Sequence, residues 1–508
     1  MSDATMRDPS IPTRADDAQS RAIERAYEAM LFVGRPWPNC HPARIATIAA
    51  LVGFDTFDPA SARVLEIGCG DGGNLVPIAA ACPGSDFTGI DLSQRAIGEA
   101  RAFAEGCGLD NIRFVHADLR ELHHDGRRFD YIIAHGFYSW VPEPVRDALF
   151  ETIRATLSPD GIAFVSHNTL PGCALRSIVW GILGSETAGI DDPRERIARA
   201  REIAATMAEA MRLQPGAPSQ LATEFDEIAT RPDYALFHDD ISVVNHAVLL
   251  RDFAAHAGRH RLAWLADADL YRHIAPAFGE RGNAWVAQAD RIGREHRADH
   301  IRLRRFRESL LVPIERGLGS PVTADRLARM HIAAANDTVE RSARARPLSP
   351  ADRSPAALRR RLLDRLVEIH PLTAPVGELV EWVVRSSDPG SALAQPAAAL
   401  QMVLASALAG ATIPYAEPPA LARVAGERPR AFAPARWQAT RRDFVVNLRH
   451  DGVLLDGEAQ RRLLPLLDGT RTQAELAARS GEWSPAGAPT HPVGDHLAHF
   501  VRLGLLEL

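Results

Sequence analysis

Glu66, Gly68, Gly70 and Gly72 stand at every second position of one short segment, and their types and spacing suit a ligand-binding loop. Glycines let the backbone turn sharply and let a ligand approach main-chain N–H groups where no Cβ intervenes. Gly73 completes a GxGxxG pattern with Gly68 and Gly70. That pattern is compatible with NAD and with other nucleoside cofactors, so it predicts a nucleoside site without selecting the nucleoside.

Two further acids follow strand-like segments at the spacing that a nucleoside site requires. Asp91 comes about twenty residues after the glycines, where a carboxylate can accept hydrogen bonds from both ribose hydroxyls. Asp118 follows the next strand-like segment, where an acid can bind an adenine amino group. Leu92 and Leu119, which directly follow these acids, are predicted to contact the same nucleoside.

Runs of β-branched and aliphatic residues alternate with helix-period stretches around these loops. The runs predict five buried strands at Arg63–Ile67, Phe87–Ile90, Ile112–Val115, Phe129–Ala134 and Ile162–Ser166. Regular alternation of strands and helices predicts an α/β fold, a Rossmann-like parallel sheet with helices on both faces. Ligands bind at the carboxyl ends of such strands, where the glycines and acids stand.

The order of these features resembles that of class I S-adenosylmethionine-dependent methyltransferases. An acid stands in the first glycine loop, acids follow strands two and three, and the turn LSPDG (157–161) precedes strand five. The resemblance implies S-adenosylmethionine as the cofactor, with Glu66 and the glycines at its methionine end and the backbone of His135 accepting from the methionine amine. A sulfonium cofactor has no pyrophosphate and needs no phosphate-binding helix N-terminus, which favours it over NAD.

Longer segments resemble one bacterial family that joins a class I methyltransferase domain to a methyltransferase regulatory region and often to a C-terminal winged helix. These segments are EIGCGDGGNL (66–75), FDYIIAHGFYSWVP (129–142), FHDD (237–240) and RRFRESLL (304–311). The family includes protein-lysine methyltransferases. The resemblance therefore implies N-methylation of protein lysines, with C-terminal modules that recognise the substrate.

The loop after strand five departs from the pattern of that family. It reads SHNTLPGC at 166–173, where the family usually has SYNTYPGW, so two tyrosines and a tryptophan are replaced. Two other functions therefore stay open. One is a methyltransferase for small molecules or peptide natural products, and the other is a catalytically silent adaptor that binds S-adenosylmethionine.

Five residues are candidates to face the methyl acceptor: His167, Asn168, Tyr138, His135 and Trp140. A lysine amine, with an ordinary pKa near ~10.4, must lose a proton before it attacks a methyl carbon. Either His167 or Asn168 can orient the nucleophile, and His167 can also accept that proton as a general base. Tyr138 and Trp140 can line the acceptor channel, because aromatic faces stabilise an ammonium group. Hydrophobic packing is the alternative for these two rings, and a structural role is the alternative for the His135 side chain.

Other segments have roles that the sequence leaves open. Tyr27, Trp37 and His41 belong to a helix and loop that precede the first strand and can cover the cofactor. The arginines of 304–307 either bind an acidic substrate or form a solvated face. The segment 238–240 either faces the acceptor or binds a metal, but no partner cluster is evident, so no metal site is predicted.

Changes in composition and in helical pattern divide the chain into five predicted parts. They are a flexible tail (1–18), a methyltransferase domain (19–275) with a helical insertion (174–231), a connecting or regulatory region (276–345), a helical winged-helix-like module (355–416) and a C-terminal winged-helix-like module (437–508). The C-terminal module also resembles, more weakly, winged-helix peptide chaperones. The mixed α/β middle region and these modules complete the predicted fold class.

Composition and charge narrow the possible partners. The 508 residues carry a formal net charge of −6, which gives no general attraction to nucleic acid or anionic membranes. The basic residues are all arginine, so the chain has no lysine side chain of its own to methylate. Five cysteines without a CxxC pair, and no apolar run of membrane-spanning length, predict a cytoplasmic protein without membrane insertion. The expected partner is a protein or peptide substrate, and a small-molecule acceptor and a homodimer stay open as alternatives.

Overall fold

The computed structural model describes residues 14–122, 126–216, 219–270, 278–317, 319–344, 348–349, 351–483 and 492–508. Most of the predicted N-terminal tail, residues 1–13, and the predicted domain boundary at 275 lie outside the described residues. The first helix begins at Arg14, which places the last part of the predicted tail in regular structure.

One sheet of eight strands organises the larger part of the chain. Its strands are β1 Arg63–Ile67, β2 Asp86–Asp91, β3 Ile112–His116, β4 Phe129–Ala134, β5 Leu157–Thr169, β6 Ala247–Val248, β7 Leu262–Asp267 and β8 Phe306–Pro313. Their order across the sheet is β3-β2-β1-β4-β5-β8-β7, and β6 pairs with the end of β5. Strands β1 to β5 are parallel to one another, whereas β8 runs antiparallel to both of its neighbours. The predicted α/β class and the five predicted strands are confirmed.

Strand β8 lies where the sequence did not place it. Its residues fall within the predicted connecting or regulatory region (276–345), but β8 inserts between β5 and β7 of the large sheet. Its register pairs Phe164 with Leu310 and Trp264 with Leu311. The sheet therefore ends at Pro313, because hydrogen bonding to strands far away in the chain decides the position of β8.

Helices cover both faces of the sheet, as predicted. They are α1 Arg14–Ala29, α2 Pro42–Leu51, α3 Leu75–Ala81, α4 Gln94–Gly106, α5 Glu143–Thr156, α6 Ala174–Glu186, α7 Pro193–Leu213, α8 Ser219–Ala229, α9 Asp233–Ala235, α10 Leu250–Arg259, α11 Gly279–Ala287 and α12 Arg291–Arg302. Neighbouring residues of β1 point to opposite faces, so Val64 packs into one apolar core and Leu65 into another.

Helices α6 to α9 form a layer of their own beside the sheet. Their apolar side chains, among them Val179, Phe225 and Leu236, make a separate core that also receives Met30 from the segment after α1. The chain leaves α9 through one turn of π-helix, Leu236–Asp240. The predicted helical segment 174–231 therefore packs against the N-terminal segment.

The remaining residues form two smaller α/β units. The first contains α13 Ala324–Leu327, β9 His331–Ala334, α14 Asn336–Ala343, α15 Pro355–Glu368, β10 Ala374–Pro375, α16 Val376–Ser386, α17 Pro396–Leu408 and β11 Thr412–Tyr415. Its three-stranded sheet has β9 in the centre, paired with β10 and β11. The residues of β9 fall within the predicted connecting region (276–345). The unit therefore starts well before residue 355.

The second unit contains α18 Ala433–Ala439, β12 Phe444–Val446, β13 Gly452–Leu454, α19 Gly457–Leu463, α20 Gln473–Ala478, α21 Ser480–Trp483 and α22 Val493–Arg502. Part of the segment between the two predicted modules, residues 417–436, is packed, because Ala431 and Phe432 are buried in the core of this unit. Within the part of the chain that the structure describes, no helix is long and apolar enough to cross a membrane.

Candidate active site

A cavity of about 460 Å³ opens at the carboxyl ends of β1, β2, β4 and β5. Its volume is typical of a small-molecule site. One end, which we call the nucleoside end, is lined by the loops after β1, β2 and β3. The other end, which we call the acceptor end, is lined by residues from the end of β5, helix α6, the π-helical turn and the start of β8.

The glycine loop after β1 has the backbone geometry that the sequence predicted. Gly68 and Gly70 have φ angles of 75° and 54°, in the left-handed region that favours glycine. A Cβ on Gly68 would lie 2.8 Å from the ring of Phe137, whereas one on Gly70 would meet no atom within 4 Å. Gly70 therefore leaves its backbone open to the cavity. Gly72 does not line the cavity, and its missing Cβ lets the loop pack against Val76.

Asp91 stands at the end of β2 with each carboxylate oxygen held by one main-chain donor. The N–H of Gly70 donates to Oδ2 at 2.8 Å, and the N–H of Ser93 donates to Oδ1 at 2.8 Å. Burial raises the pKa of Asp91, and the backbone hydrogen bonds act in the opposite direction. Each oxygen keeps a lone pair, so the carboxylate can accept from two adjacent hydroxyl groups.

Glu66 is a buried carboxyl group with one unsatisfied oxygen. Asn74 Nδ2 donates to its Oε1 at 2.7 Å, while Oε2 has no hydrogen-bond partner among the described residues. Burial raises the pKa of Glu66 to about 8. An unpartnered buried acceptor beside a cavity is costly unless a ligand donates to it, so Glu66 suits a ligand that carries an amino group.

The other predicted nucleoside contacts meet at the same end of the cavity. Leu92, Asp118 and Leu119 all line it. Burial alone would raise the pKa of Asp118, but hydrogen bonds from Arg120, with Nη2 at 2.6 Å from Oδ2, lower it. Asp118 is therefore ionised at neutral pH and available as a hydrogen-bond acceptor.

Three of the five predicted acceptor residues also line the cavity: His135, Trp140 and Asn168. The His135 ring stacks on Trp37 with their centroids 4.2 Å apart, and burial lowers its pKa to about 3. His135 is therefore a neutral wall of the cavity. The indole N–H of Trp140 is buried and has no partner among the described residues.

His167 lies on the opposite face of β5 from Asn168, which corrects the prediction that it accepts the proton of the acceptor. Its ring stacks on Phe253 at 4.0 Å, and its Nε2 lies 3.3 Å from Ser309 Oγ. Burial lowers the pKa of His167 to about 3. Successive side chains of a strand point to opposite faces, so only one of the two can reach the cavity.

Tyr138 also lies away from the cavity, which corrects its predicted place in the channel wall. Its hydroxyl group is 2.9 Å from His256 Nδ1, and His256 Nε2 is 2.6 Å from an oxygen of Asp147. His260 Nε2 lies 3.2 Å from the same oxygen. These three residues form a group, among the described residues, whose potential metal-ligating atoms lie close together: Asp147, His256 and His260. The hydrogen bonds within this group connect α5 to α10.

Arg304 and Arg307 have neither of the two predicted roles, whereas Arg305 is half-exposed and lines the cavity. Arg307 is fully buried, with Nε 2.7 Å from Asp299 and Nη1 3.1 Å from Asp267. Arg304 is buried beside it and pairs with the same two acids. Arg305 pairs with Glu224 of helix α8. These pairs attach the start of β8 to the elements around it.

Several cavity residues were not identified from the sequence. The acceptor end includes Cys173, Arg176 and Trp180 near the start of α6, together with Arg231 and Phe306. No local motif marks these positions, because they meet only when the helical layer packs against the sheet. Of the predicted lid residues, Tyr27 and Trp37 line the cavity, whereas His41 caps helix α2.

Comparisons with known proteins match three separate parts of the chain. Residues 64–161 match the family described as "Methyltransferase domain". Residues 232–313 match "Predicted methyltransferase regulatory domain", and residues 427–489 match "PKMT, C-terminal winged helix domain". The match to the regulatory domain ends at Pro313, the last residue of β8. This domain therefore includes strands β7 and β8 of the large sheet, which pair with each other in antiparallel orientation.

Sequence relatives occur in Rickettsia prowazekii. The chain is 29% identical over 328 residues to its uncharacterized protein RP789, which covers 64% of this chain and 59% of that protein. This match spans less than two thirds of the length of RP789. The chain is also 26% identical over 229 residues to uncharacterized protein RP028, which covers 45% of this chain and 92% of that protein.

The fold of the whole chain is similar to that of PKMT2 from Rickettsia typhi, whose structure is known in complex with AdoHcy. The TM-score is 0.80 at 21% identity, over 94% of this chain and 99% of PKMT2. The unpartnered oxygen of Glu66 and the open backbone at Gly70 fit the amino acid end of such a cofactor. The chain therefore joins a segment that matches a methyltransferase domain, a segment that matches a methyltransferase regulatory domain and a segment that matches a PKMT C-terminal winged helix domain, on a fold that it shares with PKMT2.

Proposed function

We propose that the chain methylates lysine side chains of a protein substrate. Its C-terminal domain matches a family whose description names PKMT, and its fold is similar to that of PKMT2 over nearly its whole length. PKMT abbreviates protein lysine methyltransferase. These similarities support a protein acceptor, and the segments quoted from the sequence support the same substrate class.

The observation that carries the proposal is the shape and lining of the cavity. It continues from the glycine loop into an acceptor end with aromatic walls, to which Tyr27, Trp140, Trp180 and Phe306 contribute. A lysine side chain has a long apolar stem and a polar tip, so it suits a channel of this kind. Aromatic faces also stabilise the methylated ammonium that forms.

The residues of this chain bind and position the two reactants. Glu66 and Asp91 supply the acceptor oxygens for the amino group and the ribose of the cofactor. When bound, S-adenosylmethionine supplies a methyl group that its sulfonium centre already activates. The protein then contributes mainly orientation, and the apolar walls lower the pKa of the incoming amine by removing water from it.

The C-terminal winged helix domain supports recognition of a protein rather than of a small molecule. Its two-stranded sheet, β12 with β13, is short, and Leu454 at its end is 60% exposed. An extended peptide can pair with such an edge through main-chain hydrogen bonds. A substrate bound there would be held on the same molecule as the methyltransferase domain.

The test is methyl transfer from radiolabelled S-adenosylmethionine to a protein extract of the source cell, with an acetylated sample of the same extract as control. Acetylation removes the nucleophilic amines of lysine, so we expect label in the untreated extract only. The chain has no lysine of its own, which removes lysine self-labelling from the background. Asp91→Ala is the enzyme control.

The other outcomes point to the alternatives. Label confined to small molecules would replace the proposal with a natural-product methyltransferase. Absence of label, while the chain still binds AdoHcy, would replace it with a silent adaptor.

A further inference from the structure

We propose that Asp239 is the residue that binds the ammonium group of the acceptor lysine and accepts its proton. This inference rests on the proposed function and specifies the acceptor end of the same cavity. It assigns a role to the second residue of the HDD sequence (238–240), which the resemblance to a family did not explain.

Asp239 is the carboxylate that the π-helical turn presents to the cavity. Its side chain is 25% exposed, and it lines the cavity together with Arg231. Arg231 Nη2 lies 3.2 Å from Oδ2 of Asp239, and no described residue hydrogen-bonds to Oδ1. One oxygen therefore remains available to a cationic ligand in the cavity.

The neighbouring Asp240 has a different role. It is fully buried, and its two oxygens accept from Trp180 Nε1 at 3.0 Å and from Arg231 Nη1 at 2.7 Å. Both of its oxygens are thus occupied by residues that also line the cavity. Asp240 fixes Arg231 and Trp180 in place, and Asp239 is left to bind a ligand.

A chain of amide hydrogen bonds ties the turn to the end of β5. The main-chain oxygen of Asp239 accepts from Asn245 Nδ2 at 2.6 Å, and Asn245 Oδ1 accepts from Asn168 Nδ2 at 3.1 Å. Asn168 itself lines the cavity. The position of Asp239 relative to the sheet is therefore held by side chains on both sides of the acceptor end.

Ion pairs offset the positive charges around the acceptor end. Three arginines line the cavity there, and each is paired with at least one acid, of which Asp239 is the one that also lines the cavity: Arg176, Arg231 and Arg305 with Glu224, Glu227, Asp239 and Asp240. With all seven groups ionised, the acids exceed the arginines by one. The adjacent His238 adds no positive charge, because burial lowers its pKa to about 4.

Tyr27 connects Asp239 to the nucleoside end of the cavity. Burial raises the pKa of the Tyr27 hydroxyl, and the negative charges of Asp91 and Asp239 raise it further. The ring of Tyr27 stacks on His238 at 4.4 Å and lines the cavity. The phenol therefore lies near both acids, and its ring offers a face to an ammonium group that Asp239 binds.

The proton transfer breaks one N–H bond and forms one O–H bond. The N–H bond of the lysine ammonium breaks, its electron pair stays on nitrogen, and the proton passes to Oδ1 of Asp239. Burial raises the pKa of Asp239 to about 7, while the charge of Arg231 lowers it and that of Asp240 raises it. A proton acceptor with a pKa near the working pH is suited to general base catalysis.

Asp239→Asn tests the role of the charge. With a lysine-containing protein acceptor, we expect KM to rise about tenfold or more, because a charge-assisted hydrogen bond is lost. In the wild type, kcat/KM should fall as the pH drops below about 7, since protonation of Asp239 removes the charge. The variant should lack this acidic limb, and Asp239→Glu should restore it in part.

AdoHcy binding and thermal unfolding of each variant report on the cofactor site and on folding. Asp233→Asn is the matched control, because the exposed Asp233 lies on helix α9, pairs with Arg201 and does not line the cavity. An Asp239→Asn variant with wild-type KM and an intact acidic limb would overturn this inference and leave the proposed function standing. A wild-type chain that labels no lysine would overturn both.

Discussion

At the scale of single residues, two acids of the nucleoside end differ in how their oxygens are hydrogen-bonded. Both oxygens of Asp91 accept from main-chain N–H groups, whereas Glu66 has one oxygen held by Asn74 and one without a partner among the described residues. The first arrangement stabilises an anion, and the second leaves a place for a ligand donor. The role of each acid can therefore be tested by a substitution.

Asp91→Asn should weaken AdoHcy binding by about tenfold to a hundredfold, because a charge-assisted hydrogen bond contributes ~1.5–3 kcal/mol. Isothermal titration calorimetry measures the change. Asp86→Asn is the control, because Asp86 is exposed at the other end of the same strand. Equal affinities of the two variants would show that Asp91 does not contact the ligand.

Glu66→Gln should change how stability depends on pH. In the folded protein burial raises the pKa of Glu66 from 4.5 to about 8, so the carboxyl group keeps its proton over a range in which the unfolded chain releases it. Stability of the wild type should therefore fall as the pH rises from about 5 to 8, by up to a few kcal/mol relative to the variant.

Urea unfolding at several pH values measures this difference. The exposed Glu99→Gln provides the control, and its pH profile should follow that of the wild type. Parallel profiles for Glu66→Gln and the wild type would contradict the raised pKa of Glu66.

At the scale of elements, strand β8 combines main-chain pairing with a buried group of charges. It hydrogen-bonds to β5 and β7, and its Arg307 side chain pairs with Asp267 of β7 and Asp299 of α12. The arginine therefore links helix α12 to strands β7 and β8 of the sheet.

Arg307→Ala should destabilise the protein by about 3–5 kcal/mol, because it leaves buried carboxylates with less compensating charge. Denaturant unfolding measures the loss. Arg154→Ala, which breaks an exposed ion pair with Glu315, should cost at most ~1 kcal/mol. Similar losses for the two variants would mean that the buried group contributes little to the stability of β8.

Tyr138 and Trp140 belong to one loop, but only Trp140 lines the cavity. Substitutions of the two residues can test this difference through stability and kinetics. Tyr138→Phe removes the hydrogen bond to His256 and should cost about 0.5–1.5 kcal/mol of stability while the acceptor KM is unchanged. Trp140→Leu removes a cavity wall and should lower kcat/KM. A larger kinetic effect from Tyr138→Phe than from Trp140→Leu would place the tyrosine in the acceptor channel after all.

At the scale of the whole molecule, the C-terminal winged helix domain reaches the glycine loop. His450 Nε2 lies 2.8 Å from Asn74 Oδ1 across a separation of 376 residues, and Asn74 in turn donates to Glu66. Trp437 of α18 stacks on Phe103 of α4 at 4.2 Å. The domain proposed to bind the substrate is thereby connected to a residue that lines the nucleoside end of the cavity.

His450→Ala should weaken AdoHcy binding about threefold to tenfold, because it removes one of the hydrogen bonds that orient Asn74. His499→Ala, in the same C-terminal unit, should leave the affinity unchanged, because His499 pairs with the exposed Asp456. Calorimetric titration of both variants measures the effect. An unchanged affinity of His450→Ala would mean that the two domains are in contact without being coupled.

The sequence by itself determined the nucleoside end of the site and the fold class. Glu66, Gly68, Gly70, Asp91 and Asp118 line this end of the cavity, and each lies at or just after the carboxyl end of a strand. A local sequence pattern is enough to predict the position of these residues, because a strand places the loop that follows it at its own carboxyl end.

The tertiary structure decided the acceptor end and the domain contacts. Strand β5 is buried on both faces, so its apolar pattern does not show that Asn168 rather than His167 points to the cavity. Strand β8, Asp239 and His450 reach their positions through pairing and packing with segments that are distant in the chain. Such contacts depend on how whole elements pack together, and no local run of residues encodes them.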